Sequence, residues 1–207
     1  VAATSSEFWD RIAPGYSRRP IGDAESYARK LAASQALMRP DMTVLEFGCG
    51  TGSTALEHAP HVAHIVATDV SSAMIEIARH KAAHAGVGNV SFRQSGLTDF
   101  EAPDESFDMV LALNLLHLLP DRTAALGRIL RLLKPGGVFI SSTACLADRM
   151  WYLRPVIRVM QWLGKAPYVS FVGAAEMLGE LAAAGFEEQE HWTHGRANNL
   201  FLIARKP

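Results

Sequence analysis

The stretch Val44-Leu45-Glu46-Phe47-Gly48-Cys49-Gly50-Thr51-Gly52 constrains the chain more than any other. A short apolar strand runs into three glycines at alternate positions. Glycine has no Cβ and tolerates backbone conformations closed to other residues, so a ligand can lie against bare main chain here. The next apolar run closes on Asp69. An acidic residue about 20 positions after a glycine-rich turn is placed to accept hydrogen bonds from a ribose diol. These features predict a nucleoside-containing ligand.

The spacing is not that of a dinucleotide site. That fingerprint reads G-x-G-x-x-G, with its last glycine packing a helix against the strand. Here Gly52 comes one position early and Ser53 stands where that glycine would fall. A nicotinamide oxidoreductase is therefore disfavoured. Glu46 precedes the first glycine by two residues.

The rest of the chain alternates strands with helical stretches. Ile65 to Asp69 reads as a second strand, followed by a helix that Ser71 and Ser72 cap. Asn89 to Arg93 reads as a third strand and Phe107 to Asn114 as a fourth. Leu132 to Ile140 reads as a helix end, a turn at Pro135-Gly136-Gly137 and a fifth strand. A helix near Ala174 to Ala184 stops at Gly185, and Phe186 to Trp192 and Asn199 to Ala204 read as a closing pair. Such alternation argues for a parallel sheet covered on both faces.

In order and spacing, Val44 to Ser142 resembles the class I S-adenosylmethionine (SAM) methyltransferases. The N-terminal block and core are similar to the small-molecule type, the ubiquinone/menaquinone-biosynthesis methyltransferases. The resemblance implies an α/β fold: a Rossmann-like seven-stranded sheet, mostly parallel with an antiparallel C-terminal strand. It also implies SAM as cofactor and S-adenosylhomocysteine as product. Backbone from Gly48 through Cys49 and Gly50 to Gly52 would then approach the methionine part and ribose, with Glu46 just before them. Asp69 would take the ribose hydroxyls, Met74 and Val70 would lie against adenine, and Asn114 and Leu115 would flank the sulfonium. Many relatives carry an acidic residue after the third strand for the adenine amino group. Here the aligned stretch is Arg93-Gln94-Ser95-Gly96-Leu97, and Gly96 occupies that position. Gln94, backbone or Asp99 is left to substitute.

Histidines supply the candidates for proton transfer, because imidazole titrates near neutral pH. His117 follows the fourth strand by a few residues and is the leading candidate general base; the alternative is a packing role. His191 and His194 stand near a sixth strand whose end falls on either rim. His80 and His84 are four apart on a helix, which is metal-ligand spacing, but no carboxylate base lies between them as in H-E-x-x-H, so a solvated face is expected and no metal. His58, His61 and His64 are expected in a surface turn.

The 207 residues are expected to form one domain. Two segments lie outside its core. Residues 1–40 are expected to form a helical cap, in which Phe8 and Ile12 share a face and Tyr16 either caps the cofactor or packs the helix down. Residues 145–171 form a helical insert with Met150, Leu153, Ile157 and Met160 at helical spacing and Arg154, Arg158 and Lys165 as a basic flank. Such an insert can pack on its own domain, roof an apolar substrate, lie on a membrane surface or form a dimer contact.

A net charge of −1 leaves no electrostatic footprint for nucleic acid. Leu115-Leu116-His117 replaces the Asn-Pro-Pro-aromatic loop of amino-methylating nucleic-acid enzymes. Cys49 and Cys145 suggest no disulfide framework, which fits a reducing cytoplasm. No run reads as a signal peptide or reaches the roughly 18 apolar residues of a bilayer span. The sequence starts at Val1, which leaves a leader open. The arginine-asparagine pair that quinone-precursor enzymes carry near the end of the fourth strand is absent. The reading is methyl transfer to an O, N or C atom of a small, apolar acceptor. The alternatives are a phospholipid headgroup N-methyltransferase and a non-catalytic SAM-binding sensor or partner subunit.

Overall fold

The computed structural model describes residues 5–207. Residues 1–4 of the expected N-terminal cap lie outside them. Seven strands form one sheet in the order β3-β2-β1-β4-β5-β7-β6. They are β1 (Thr43–Phe47), β2 (His64–Asp69), β3 (Val90–Gln94), β4 (Phe107–Leu113), β5 (Leu133–Thr143), β6 (Glu187–His194) and β7 (Asn199–Arg205). Strands β1 to β5 pair in parallel. Only β7 runs against its neighbours, β5 and β6. Strand β6 therefore points the same way as β5, and its end reaches the carboxyl rim shared by β1, β2 and β4.

Period-two alternation sorts the apolar side chains onto two faces. Leu45, Phe47, Val110, Ala112 and Phe139 pack on one side, under α5 (Arg122–Leu132) and α8 (Ala174–Ala183). Val44, Ile65, Ala67, Met109, Leu111 and Ile140 pack on the other, with α4 (Ser72–Ala85). A sheet buried on both faces needs near-continuous apolar strands, which is what β1, β2 and β4 supply. The edge strands are β3 and β6; residues 187–191 of β6 are exposed and include three glutamates, a charged edge that discourages pairing with another chain.

The expected turn at Pro135-Gly136-Gly137 is instead part of β5. Leu133 pairs with Phe107 and Val138 with Met109, so extra residues on β5 are absorbed by a register shift.

The chain before the sheet folds into α1 (Ser5–Ser17) and α2 (Ala24–Gln35). The Asp23 carboxylate caps α2 by accepting the Ser26 N–H at 3.0 Å. Residues 146–171 hold α6 (Leu146–Arg149), a short 3₁₀ turn and α7 (Arg154–Trp162). Trp151 and Trp162 there are 69% and 82% exposed. Among the described residues no helix is long and apolar enough to cross a membrane.

Candidate functional site

One cavity of about 970 Å³ runs along the carboxyl rim of the sheet. Pockets for drug-sized ligands span roughly 300–1,000 Å³, so this one has room for a nucleoside cofactor and a second small molecule. Its floor is the loop between β1 and α3 (Ser53–His58). Gly48 and Gly50 have φ of +67° and +53°, which turns their amides and leaves bare backbone at the surface. The Cβ of any other residue at 48 would lie 2.9 Å from a Leu115 methyl. Gly52 is different. It does not line the cavity but starts α3, packed so tightly that a Cβ would come within 2.7 Å of Ala78 Cβ.

Asp69 ends β2 with each carboxylate oxygen accepting one backbone N–H, from Gly50 and from Ser71, both at 2.9 Å. Asp69 lines the cavity, and a carboxylate that accepts two hydrogen bonds has further lone pairs to offer. Burial raises the Asp69 pKa, and the two backbone hydrogen bonds oppose that rise. Ser71 caps α4 by accepting the Met74 N–H at 3.1 Å. Its own hydroxyl donates to Asp10 of α1 at 2.6 Å, and Asp10 also accepts the Ala73 N–H at 3.0 Å. So α1 is latched to the same turn that fixes Asp69. Tyr16 lies over Gly50, with ring carbon Cε1 3.8 Å from the Cβ position there. Trp9, edge-on to Tyr16 at 6.4 Å, lines the same wall, although the helical pattern turned it away from the Phe8 face.

Glu46, Cys49, Val70, Met74, Gly96, Leu97, Asn114 and Leu115 also line the cavity. Glu46 Oε2 is buried with no hydrogen-bond partner, and burial pushes the carboxyl up to about 8, helped by the nearby Asp69 charge. An orphaned acid inside a cavity is costly until a cationic group meets it. Asn114 holds φ of +57°, tied to β5 by its N–H to Ser142 O at 2.7 Å. Asparagine is among the few residues that visit this region at small cost. Beside Gly96, the Asp99 carboxylate lies 3.3 Å from where a Cβ would sit. Gln94 spends its amide on Val70 O at 3.1 Å.

Three expectations are corrected. His117 is not among the cavity-lining residues. It sits in a 3₁₀ turn (Leu116–Leu118), its Nδ1 accepting the Ala144 N–H at 3.4 Å, and burial pushes it down to about 4. The turn that carries it sets the ring against Ala144, just past the end of β5. Residues 145–171 contribute nothing to the cavity wall; α1 and α2 roof it instead, with Arg11 of α1 bonded to Gly164 O at 2.6 Å. His58 is fully buried at the end of α3, with burial driving it to about 4, whereas His61 is exposed and His64 bonds Ser91 at 2.9 Å. His80 and His84 are exposed on α4.

Of the far end of the cavity the sequence reading singled out only His194. Asp23, Tyr27 and Lys30 of α2 line it, with His194 and Arg196 from the β6–β7 hairpin. Asp23 and Ser26 form a readable cap, and Tyr27 and Lys30 stand three apart on one helical face. Nothing in that pattern shows which sheet end α2 meets. The contact is made by Arg29, whose guanidinium stacks 4.1 Å over the Trp192 ring.

Residues 44–137 match the model of a methyltransferase domain. The ubiquinone biosynthesis O-methyltransferase of Paramagnetospirillum magneticum is 30% identical over 176 residues, covering 80% of this chain and 70% of that one. The methyltransferase YcgJ of Bacillus subtilis is 33% identical over 117 residues, 56% of this chain and 46% of the relative. A SAM-dependent methyltransferase structure from Thermotoga maritima superposes with a TM-score of 0.73 at 20% identity, covering 99% of this chain and 100% of that one. The seven-stranded order, the bare glycine backbone beside Asp69 and these matches agree, and the chain belongs to the class I SAM-dependent methyltransferases.

Proposed function

We propose that the chain transfers the SAM methyl group to an O, N or C atom of a small acceptor bound beneath α1 and α2. The observation that carries this reading is the continuity of the cavity. The same cavity is lined by Asp69, Gly96, Asn114 and Leu115 and also by Ile21, Leu118, Leu119 and Lys30. SAM supplies an electrophilic methyl on a sulfonium. The chain supplies position: Asp69 fixes the ribose end, Glu46 offers a buried carboxyl that ionises when a cationic group meets it, and the Gly48–Gly50 backbone sets the depth. Holding two reactants in line accounts for much of such a rate enhancement. Loss of the sulfonium charge is favoured in a site sheltered from water, and Trp9 and Tyr16 of α1 line one wall of the cavity. The leucines and Ile21 suit an acceptor with an apolar body.

The test is calorimetric titration with SAM, S-adenosylhomocysteine and NAD, on wild type and Asp69→Ala. Micromolar binding of the first two, lost in the variant, supports the reading; binding of NAD instead refutes it. An acceptor screen follows. Turnover of polar metabolites with none of phenols, quinone precursors or amino-lipids refutes the apolar acceptor.

The insert suggests where the molecule meets an anionic lipid surface. Four basic residues and one acidic residue flank the exposed Trp151, Val156, Val159 and Trp162. Aromatic and basic side chains together suit the bilayer interface. Co-sedimentation with phosphatidylglycerol vesicles, reduced by Trp162→Ala, checks this; absence of binding at low salt refutes it.

A further inference from the structure

The cavity carries opposite charges at its two ends. Glu46 and Asp69 line the glycine-loop end. The far end carries Arg19 from the α1–α2 loop, Lys30 of α2 and Arg196 from the β6–β7 hairpin, against one acid, Asp23. Lys81 also lines the cavity, but its ammonium is bonded to the Thr51 and Ser53 hydroxyls at 2.9 and 3.0 Å. The two segments that bring the arginines meet where His194 Nδ1 lies 3.8 Å from Asp23 Oδ2. The Arg29–Trp192 stack fixes α2 against β6 close by. His194 adds no charge, because burial and then the Lys30 charge keep its ring neutral at neutral pH.

Nothing in the fold answers these three cations. Among the described residues, none forms a hydrogen bond or ion pair with the side chains of Arg19, Lys30 or Arg196. Asp23 is occupied: its Oδ1 accepts the Ser26 N–H at 3.0 Å and its Oδ2 faces His194. Lys30 is half-buried, and burial lowers its pKa while the Asp23 charge opposes the fall. A cation taken partly out of water without a partner is costly, and an arriving anion removes that cost. The Lys30 ammonium can also be reached. Both ring nitrogens of His194 are sealed off, whereas Lys30 Nζ is not. Arg19 and Arg196 are exposed, and the guanidinium fork matches a carboxylate. Pro20 and Ile21 follow Arg19 directly, and Leu118 and Leu119 line the same cavity, so the wall that carries these charges also offers apolar surface.

We propose that Arg19, Lys30 and Arg196 form an anion subsite that holds a carboxylate borne by the acceptor, so that the compound methylated is an organic acid with an apolar body. The assignment rests on the methyl-transfer reading above and names its acceptor class. The carboxylate is the anchor, and the methyl group goes to another atom of the same molecule. Charge is matched at both ends of the cavity: the cationic cofactor meets Glu46 and Asp69, and the anionic acceptor meets the three cations. A cavity wall of one sign also raises the local concentration of the oppositely charged ligand, an effect that salt screens.

The experiment uses the whole chain saturated with S-adenosylhomocysteine and titrates matched acids and amides by calorimetry: benzoate and benzamide, cinnamate and cinnamamide, hexanoate and hexanamide. An acid is expected to bind about 10-fold or more tighter than its amide, with the preference shrinking as sodium chloride rises. Lys30→Met, Arg19→Gln and Arg196→Gln should each lose several-fold of the acid affinity and leave the amide unchanged. The other carboxylate in reach is the cofactor's own. S-adenosylhomocysteine and 5′-methylthioadenosine, which lacks the amino-acid part, are therefore titrated into each variant with no acid present, and affinities equal to wild type are expected. A variant that loses S-adenosylhomocysteine but keeps methylthioadenosine gives the cations to the cofactor and overturns the assignment. So does a panel in which no acid outbinds its amide, a preference that survives in every variant, or turnover of a bound acid to its methyl ester. Wild type that binds neither SAM nor S-adenosylhomocysteine refutes the methyl-transfer reading itself, and this assignment falls with it whatever acids bind.

Discussion

Glu46→Gln should make the ligand-free protein more stable at neutral pH while weakening its hold on SAM. In the unfolded chain Glu46 titrates near its ordinary value of 4.5; in the fold, burial moves it to about 8. The folded state therefore keeps a proton that the unfolded state releases. A raised pKa contributes stability that is fully present below 4.5 and is lost as pH climbs through 8. At pH 7 the loss amounts to about 3 kcal/mol, from roughly 1.4 kcal/mol per pH unit above the ordinary value. Gln has the same shape and no charge to desolvate, so the variant should recover about that much, or roughly 6–12 °C in Tm for a chain of this size. Urea denaturation of both proteins from pH 5 to 8.5 measures it. Wild type should lose stability across the window and the variant should not. Saturating SAM should flatten the wild-type curve, because a cation beside Glu46 favours the ionised form. Parallel pH curves for the two proteins would refute the claim that Glu46 is the strained group.

Gly52→Ala should cost about 2–4 kcal/mol, read as a lowered urea midpoint. It forces a side chain into φ of +75° and against Ala78 and Phe92. Asp10→Ala should lose about 1 kcal/mol as the α4 turn loses its acceptor, and should weaken SAM binding by opening α1; an unchanged affinity would refute the latch. His117→Gln should leave the pH–rate profile unmoved, because its ring faces Ala144; a lost acid limb would return it to the catalytic role.

The glycine-loop end of the cavity was legible because its constraints are local. Alternate glycines, an acidic strand end and a serine cap each act within a few residues of where they stand, so Gly48, Gly50, Asp69 and Met74 could be placed from the chain alone. The far end of the cavity depends on distant contacts. Asp10 meets Ser71 across 61 positions, and Asp23 meets His194 only because β7 is reversed and Arg29 stacks on Trp192. No periodicity reports such pairings. His117 misled for a related reason: sequence proximity to the end of β4 fixes where its backbone goes, while the 3₁₀ turn decides where its ring points. The insert misled because an amphipathic pattern reveals an apolar face but not what that face meets.

The reversed last strand also divides the labour of change. The hairpin between β6 and β7 turns at Gly195 and Asn198, both with positive φ, and a single side-chain bond, Asn198 to Asp148 at 2.7 Å, ties its tip to α6. No glycine-loop or Asp69 hydrogen bond passes through it. Its length and side chains can be rewritten without disturbing the nucleotide seat, so new acceptors become reachable by editing one exposed loop while the methyl donor stays fixed.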